Sequence, residues 1–439
     1  MVVSDTAAPG AGTPEQAPVV IIGAGLAGLA AAVTLQRAGR AVRVLEAGDG
    51  PGGRVRSDHS PEGFVLDRGF QVLFTAYPAL DGLIDQTRLR LRAFESGALI
   101  AGGSRMQLAV DPFAHPLRLP QLLANSPFSR HDALRLLRLK LELMGPGGGR
   151  MPAAGEHSAA TELVHMGFSS CAVERFFQPF FGGVLLDRTL SARVQWFLFV
   201  FKMLSEGKTA VPAAGMGALA AHLAHQLLPG TLHLNTAVTA FERDAAGHVA
   251  AVRAAGQRFA ASAVILAADL WSARSLSPEL PKFEPVGCTT IYFAGAEPLY
   301  RERLIVLNPD LAGFLNEVVQ ITNVAPSYAP PGQHLLSCTS LVAQNLDDAS
   351  IEQRSRAELQ QWFGSKATSL RCLAIYRLPH AQFRQPPHWR ERRPNIRTAT
   401  PGLYLAGEYM QSSSIQGALR SGVEAARVVM GKQGRAPGT

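Results

Sequence analysis

The sequence has little lysine, little cysteine and no long apolar run. Its 42 basic residues comprise six lysines and 36 arginines, set against 34 acids for a net charge of +8. That arginine excess fits the background of a GC-rich genome, and no nucleic-acid recognition motif accompanies it. Nucleic acid is therefore not an expected partner. The four cysteines, Cys171, Cys288, Cys338 and Cys372, are widely spaced. They suit neither a disulfide framework nor a zinc site, so the expectation is no metal and a reducing, cytoplasmic compartment. No stretch approaches the ~20 apolar residues of a membrane-spanning helix. The run from Trp196 to Phe201 ends at Lys202. Residues 1–17 lack the basic start and apolar centre of a signal peptide and read as a disordered leader. No internal repeat, Ser/His/Asp set, HExxH motif or paired-carboxylate spacing stands out, so none of those chemistries is invoked. What is present is a 439-residue chain with 47% hydrophobic and 17% charged residues. That is enough for a large core in two or three domain-sized units, and it rules out a disordered or fibrous protein.

The informative pattern begins at Pro18. Val19 to Ile22 reads as a short buried parallel strand. Gly23-Ala24-Gly25-Leu26-Ala27-Gly28 follows at once, then a helical segment that stops near Gly39. A second strand, AVRVLE, ends in Glu46, with Ala47 after it. Each glycine has a separate physical task. Gly23 permits the tight turn, Gly25 lets backbone approach a pyrophosphate, and Gly28 lets the helix pack close to the sheet. The helix start offers free N–H groups and a positive dipole end, with Leu26 and Ala27 in its first turn. Glu46 is placed to accept hydrogen bonds from ribose hydroxyls. In this strand–turn–helix–strand–acid order the motif points to an adenine dinucleotide, without choosing between NAD and FAD.

Gly52-Gly53-Arg54 comes next, completing GxGxxG…E…GGRxxS. With this pattern the chain resembles the flavin-containing amine oxidase superfamily, including its phytoene-desaturase-like and protoporphyrinogen-oxidase-like members. The resemblance implies an α/β fold: a discontinuous Rossmann-type FAD-binding domain (GR2-like) with a mixed α+β substrate domain. It implies FAD as cofactor, with Arg54, and by extension Arg56, along the phosphates. Arginine's planar fork suits phosphate oxygens. It implies a backbone contact from Val238 to adenine, on a β-meander that ends in the buried strand Ala263 to Ala267. In the C-terminal segment LYLAGEYMQSSSIQGALRSG it implies that Glu408, after Gly407, bonds the flavin ribityl chain. The helix start near Ile415 and Gln416 would face the flavin and stabilise negative charge there. The segment FVLDRGFQVLF resembles the superfamily's second flavin-side element, which makes Gly69 and Phe70 expected contacts and Asp67 a weaker one.

The resemblance places the FAD-binding domain at 18–100, 208–275 and 395–432, and the substrate domain at 101–207 and 276–394. GPGGGR at 145–150 reads as a loop between helices, and the tail KQGRAPGT as frayed. The aromatic segments ERFFQPFFGGVLL and RVQWFLFVFKML read mainly as buried core, with a few side chains lining an apolar cavity. No catalytic group is identified. Arg377 and His380, in YRLPHAQF, are weak candidates for contact with substrate or proton transfer. Amine oxidases carry an active-site lysine in the strand leading to an E-P-aromatic turn. The comparable strand, GCTTIYFAGAEPLY, offers Thr289 or Thr290, and Lys282 lies earlier. Ser414 stands where those enzymes place a cage aromatic. Both departures favour oxidation of a CH–CH bond in an apolar, isoprenoid-type small molecule, as in desaturases. Amine oxidation, protoporphyrinogen-like oxidation and a non-catalytic FAD-holding module at a membrane surface are the alternatives. Finally, HDALRLLRLKLELM (131–144) sets Leu134, Leu137, Leu141 and Met144 on one helical side, with Arg135, Arg138 and Lys140 adding charge. Such a helix packs on its own domain or lies on the inner face of a membrane as a peripheral contact. Oligomeric state is not legible.

Overall fold

The computed structural model describes residues 17–102, 106–110, 127–144 and 156–431. The expected leader (but for residue 17), the loop at 145–150 and the tail from 432 lie outside the described residues. The fold is α/β. Its centre is a five-stranded parallel sheet in the spatial order Leu232–His233, Val42–Leu45, Val19–Ile22, Ala263–Leu266, Leu403–Leu405. All four residues of Val19–Ile22 are buried, as a central strand covered on both faces requires. The helix Leu26–Arg37 packs on the sheet through a run of alanines and leucines. Small residues let a second helix, Ile415–Val429, approach it closely. A Cβ at Gly422 would lie 2.0 Å from the Ala27 carbonyl oxygen. Beside the sheet, Val238–Arg243, Val249–Ala254 and Gln257–Ala260 form the antiparallel meander.

A second, seven-stranded sheet runs Arg371–Phe383, Pro285–Gly295, His334–Ser340, Glu317–Gln320, Ile305–Leu307, Gly97–Ile100, Gln107–Val110. It is antiparallel except where Ile305–Leu307 pairs in parallel with Gly97–Ile100. Gly97–Ile100, just before the boundary expected at residue 100, thus pairs within the larger sheet and not the parallel one. Its strand partner comes from residues around 306, which local sequence could not reveal.

The helical middle of the chain packs between the sheets. Phe177, Phe181 and Phe197 are 0–1% exposed and form its core. They stack in edge and offset geometries, such as Phe181 on Phe197 with centroids 4.6 Å apart. Helix Arg130–Met144 packs through Leu139 and Leu143. Asp132 pins its first turn by accepting from the Ser169 backbone N–H at 2.9 Å and the Ser169 hydroxyl at 2.7 Å. Among the described residues, no helix is long and apolar enough to cross a membrane.

Candidate functional site

The strand Val19–Ile22 delivers the chain into Gly23, whose φ of +103° only glycine adopts without strain. A Cβ on Gly28 would lie 2.0 Å from the Gly23 carbonyl oxygen, so this glycine closes helix onto turn. Gly25 is different: nothing lies within 4 Å of a Cβ placed there. Open space over Gly25 is what a phosphate approaching bare backbone needs. Glu46 braces the turn from the neighbouring strand. Its Oε2 accepts from the Ala24 N–H at 2.6 Å and its Oε1 from the Gly48 N–H at 2.8 Å. The remaining lone pairs of both oxygens are available to a ribose.

From this turn a cavity of about 1630 Å³ extends through the protein. Single-ligand pockets span roughly 300–1,000 Å³, so this space accommodates two ligands end to end. Its wall gathers residues from three distant segments: Gly23, Gly25, Leu26, Ala27, Glu46 and Ala47; then Gly53, Arg54, Gly69 and Phe70; then Val238, Ala267, Gly407, Glu408 and Ile415. Two expected residues do not line it. Gly28 acts through packing alone. The Gln416 side chain turns away, its Oε1 accepting from the Ala79 N–H at 2.8 Å, because Gln416 sits on the buried side of its helix. Arg56 is likewise absent from the wall and pairs with Asp49 at 2.8 Å.

Arg54 and Glu408 meet in the cavity, Nη2 to Oε2 at 2.5 Å. A second Arg54 nitrogen donates to the Ala381 carbonyl oxygen at 3.0 Å. Glu408 is 5% exposed, and its Oε1 has no hydrogen-bond partner among the described residues. An orphaned buried carboxylate oxygen is costly unless a ligand donor meets it. A flavin ribityl hydroxyl is such a donor, so the residues present fit FAD. Gly407, at φ +151°, brings the chain to this point, and a Cβ there would strike the Tyr409 ring at 2.4 Å. The helix Ile415–Val429 then starts at the cavity wall with Ser414 as its cap, the hydroxyl accepting from the Gly417 N–H at 2.9 Å.

Beyond this cradle the wall becomes aromatic: Phe128, Phe176, Phe180, Trp196 and Phe201 all border the space. The aromatic segments therefore divide as their periodicity suggests, some rings forming core and others facing inward. At the far end, Ala133, Leu136 and Leu137 of helix Arg130–Met144 close the wall.

Arg377 and His380 reach the cavity rim but are exposed. Arg377 pairs with Asp348 at 2.6 Å. The His380 ring lies flat on Trp271, centroids 4.3 Å apart. Arg377 also donates to the Leu346 carbonyl oxygen at 2.6 Å, so its guanidinium is held by groups at the rim. Lys282 is exposed and outside the wall, and Thr289 and Thr290 are fully buried in the sheet. Asp67 is also outside the wall. It accepts from the Ser57 hydroxyl at 2.5 Å, the Met216 N–H at 2.8 Å and the Tyr328 hydroxyl at 2.9 Å, so it ties the Ser57–His59/Val65–Asp67 ladder to the segments around Met216 and Tyr328. Burial pushes its carboxyl up to about 6.

Three acids on the wall were missed by sequence reasoning, of which Glu95 pairs with Arg303 at 3.5 Å. Asp269 lines the cavity while capping the helix Leu270–Leu276. Glu317 lines it from the seven-stranded sheet, and burial pushes its carboxyl up to about 7. The only signal was an acid inside the apolar run FLNEVVQI. Away from the cavity wall, His157, Glu162 and His165 bring possible metal ligands within 4.8 Å of one another. His157 Nε2 and Glu162 Oε2 are hydrogen-bonded at 2.5 Å within that cluster.

Comparison with known proteins agrees with this geometry. The family described as flavin containing amine oxidoreductase matches residues 26–430. Phytoene dehydrogenase of Streptomyces griseus is 27% identical over 378 residues, covering 72% of this chain and 71% of that protein. Protoporphyrinogen oxidase 2 of Arabidopsis thaliana is 26% identical over 170 residues, 38% of this chain and 32% of that protein. An oxidoreductase of known structure from Methanosarcina mazei superposes with a TM-score of 0.72 at 21% identity, covering 94% of this chain and 100% of that one. With the motif order, the cradle and the family match in agreement, the chain belongs to the flavin-containing amine oxidoreductases and is an FAD-dependent oxidoreductase.

Proposed function

We propose that this enzyme oxidises a CH–CH bond of an apolar, isoprenoid-type molecule and takes its substrate from a membrane surface. The observation that carries the reading is the continuity of the cavity. One space joins the glycine-rich turn and the Arg54–Glu408 pair to an aromatic-lined stretch ending at helix Arg130–Met144. A long apolar molecule fits such a stretch. The similarity to phytoene dehydrogenase over 72% of the chain supports the same substrate class. An amine substrate has less support, because Lys282 lies outside the wall and Ser414 provides no aromatic face.

In this reading the FAD-binding part comprises roughly 18–96, 208–275 and 395–432, and the rest forms the substrate part. Bound FAD supplies the two-electron acceptor. Arg54 holds phosphate or flavin oxygen while neutralising Glu408, whose free Oε1 receives a ribityl hydroxyl. Glu46 receives the ribose, and Val238 and Ala47 enclose the adenine end. Gly69 lets Leu378 pack against the chain at this part of the wall, since a Cβ there would meet the Leu378 side chain at 2.5 Å. Phe176, Phe180 and Phe201 exclude water and hold the chain extended.

Helix Arg130–Met144 turns Leu134 and Leu141 to solvent at 64% and 62% exposure, with Arg130, Arg135 and Arg138 on the same element. A basic helix with outward leucines suits an anionic bilayer, and its inner side closes the cavity. The test of the proposal is anaerobic incubation of the holoenzyme with isoprenoids from C15 to C40. Bleaching of the flavin absorbance with a desaturated product is expected. No bleaching with any member of the series overturns the reading.

A further inference from the structure

Strand register places four polar side chains in one row across the seven-stranded sheet. Glu317 pairs with Thr339, Thr339 with Thr290, and Thr290 with Tyr376. Two of them have structural partners outside the row, and the third, Thr339, has Glu317. Thr290 accepts from the Phe70 N–H at 3.2 Å, Tyr376 donates to Asp58 at 3.0 Å, and Thr339 lies beside Glu317 within the sheet. Glu317 ends the row at the cavity wall, and it is only 4% exposed.

Its surroundings there are apolar or neutral. Pro179, Gly183 and Cys288 border the same part of the cavity, and burial pushes the Cys288 thiol up to about 12, so it is no charged partner. The Asn316 amide donates to Glu317 Oε2 and, at 3.1 Å, to the Pro179 carbonyl oxygen. Arg188 acts on Glu317 from a distance, but its guanidinium donates to the carbonyl oxygens of Asn308 and Asp310. Glu317 therefore forms no ion pair among the described residues. Gly183 keeps the carboxyl reachable, because a Cβ there would sit 3.0 Å from Oε2.

A carboxyl buried without a countercharge weakens a fold, and apolar residues of similar size would serve the sheet better. Buried titratable groups on a cavity wall are candidates for ligand contact. We propose that Glu317 is a specificity residue that holds a hydroxyl group of the substrate, so that the substrate is an apolar chain bearing an alcohol function. This rests on the isoprenoid reading above and narrows it. The hydroxyl is favoured over an ammonium on physical grounds. A carboxyl raised to about 7 exists as both acid and anion near neutrality. A hydroxyl donates to the anion and accepts from the acid, whereas an ammonium needs the anion and carries its own desolvation cost into an aromatic-lined space.

The test is titration of the holoenzyme with three probes, each followed by the flavin difference spectrum: geranylgeraniol, the corresponding hydrocarbon without the hydroxyl, and geranylgeranylamine. The alcohol is expected to bind at least tenfold tighter than the hydrocarbon. Glu317→Leu should abolish that preference. Glu317→Gln should keep part of it, since an amide still accepts from a hydroxyl. FAD content and thermal midpoint report whether each variant is folded. Should Glu317→Leu not fold, Gly183→Ala, which presses on the carboxyl, should lower the preference instead. Equal binding of alcohol and hydrocarbon by the wild type, or an unchanged preference in a folded Glu317→Leu, overturns the inference and leaves the isoprenoid reading standing. Tighter binding of the amine than of the alcohol overturns the assigned class. Silence with all three probes overturns the isoprenoid reading itself, and this inference with it.

Discussion

Arg54 and Glu408 come from opposite ends of the chain and meet at 2.5 Å, while Glu408 Oε1 stays buried without a partner among the described residues. The pair is thus half satisfied by the protein and half reserved. Arg54→Ala would leave Glu408 as an uncompensated buried carboxylate facing the cofactor. Loss of a charged hydrogen bond costs about 2–3 kcal/mol, which is roughly 30- to 150-fold in Kd. FAD affinity should fall by that factor, measured by quenching of FAD fluorescence on reconstitution of the apoprotein. Arg54→Lys should recover charge without the planar fork and so recover only part of the loss.

Gly25 and Gly28 make opposite predictions although they share one motif. Gly25→Val should fold, because its Cβ position is open, yet the purified protein should be colourless. Gly28→Ala should fail earlier. Its Cβ would overlap the Gly23 carbonyl oxygen, so the helix must move off the turn. Circular dichroism and the flavin absorbance of each purified variant separate the two outcomes. A yellow Gly25→Val protein would remove the phosphate-contact role of that turn.

The contrast shows where sequence reading works. Glycine demands are local, so Gly23, Gly25 and Gly28 announce their geometry within six residues. Glu408 and Arg54 were legible only through the motif order of a family, since nothing local says that they meet. Glu317 was not legible at all, because its place depends on the register of strands contributed by four separate segments. The direction of the Gln416 side chain was not legible for a related reason: a helix start can be located from sequence, but the rotation that turns this side chain toward Ala79 is set by packing. Asp67 looked like a flavin-side residue and is instead a buried clamp between Ser57, Met216 and Tyr328.

That clamp has a pH signature. Burial raises the folded Asp67 carboxyl from 3.8 to about 6, so between those values the folded state binds the extra proton. Stability contributed by this group is then greatest below the unfolded value and is lost as pH rises through about 6. The shift corresponds to about 3 kcal/mol. Asp67→Asn, which cannot ionise and still accepts from Ser57 and Met216, should lack this fall. The difference in unfolding free energy between wild type and Asp67→Asn should therefore drop by about 3 kcal/mol between pH 4 and 7. Asp67→Ala should lose all three hydrogen bonds and be less stable than either at every pH. A flat difference curve would show that the carboxyl stays charged across the range.

Helix Arg130–Met144 has leucines on two sides, so its periodicity alone did not say which side packs. Leu139 and Leu143 are 2–3% exposed, and Leu134, Leu141 and Met144 are 48–64% exposed. The outward side therefore spends apolar surface on solvent unless something covers it. If an anionic bilayer does, the arginines beside it contribute about 1 kcal/mol each near the surface. Arg135→Gln with Arg138→Gln should then weaken partitioning by about 30-fold, as two such terms combine. Liposome flotation with and without phosphatidylserine measures it. Leu134→Ser with Leu141→Ser should weaken binding to both liposome types, because it removes inserted area rather than charge. Leu134, Leu141 and Arg138 lie off the buried side pinned by Asp132, whereas Arg135 pairs with Asp132 at 3.9 Å, so the thermal midpoint of each variant is measured beside its partitioning. Wild-type protein that remains at the bottom of the gradient with anionic liposomes would exclude the bilayer as the partner of this face.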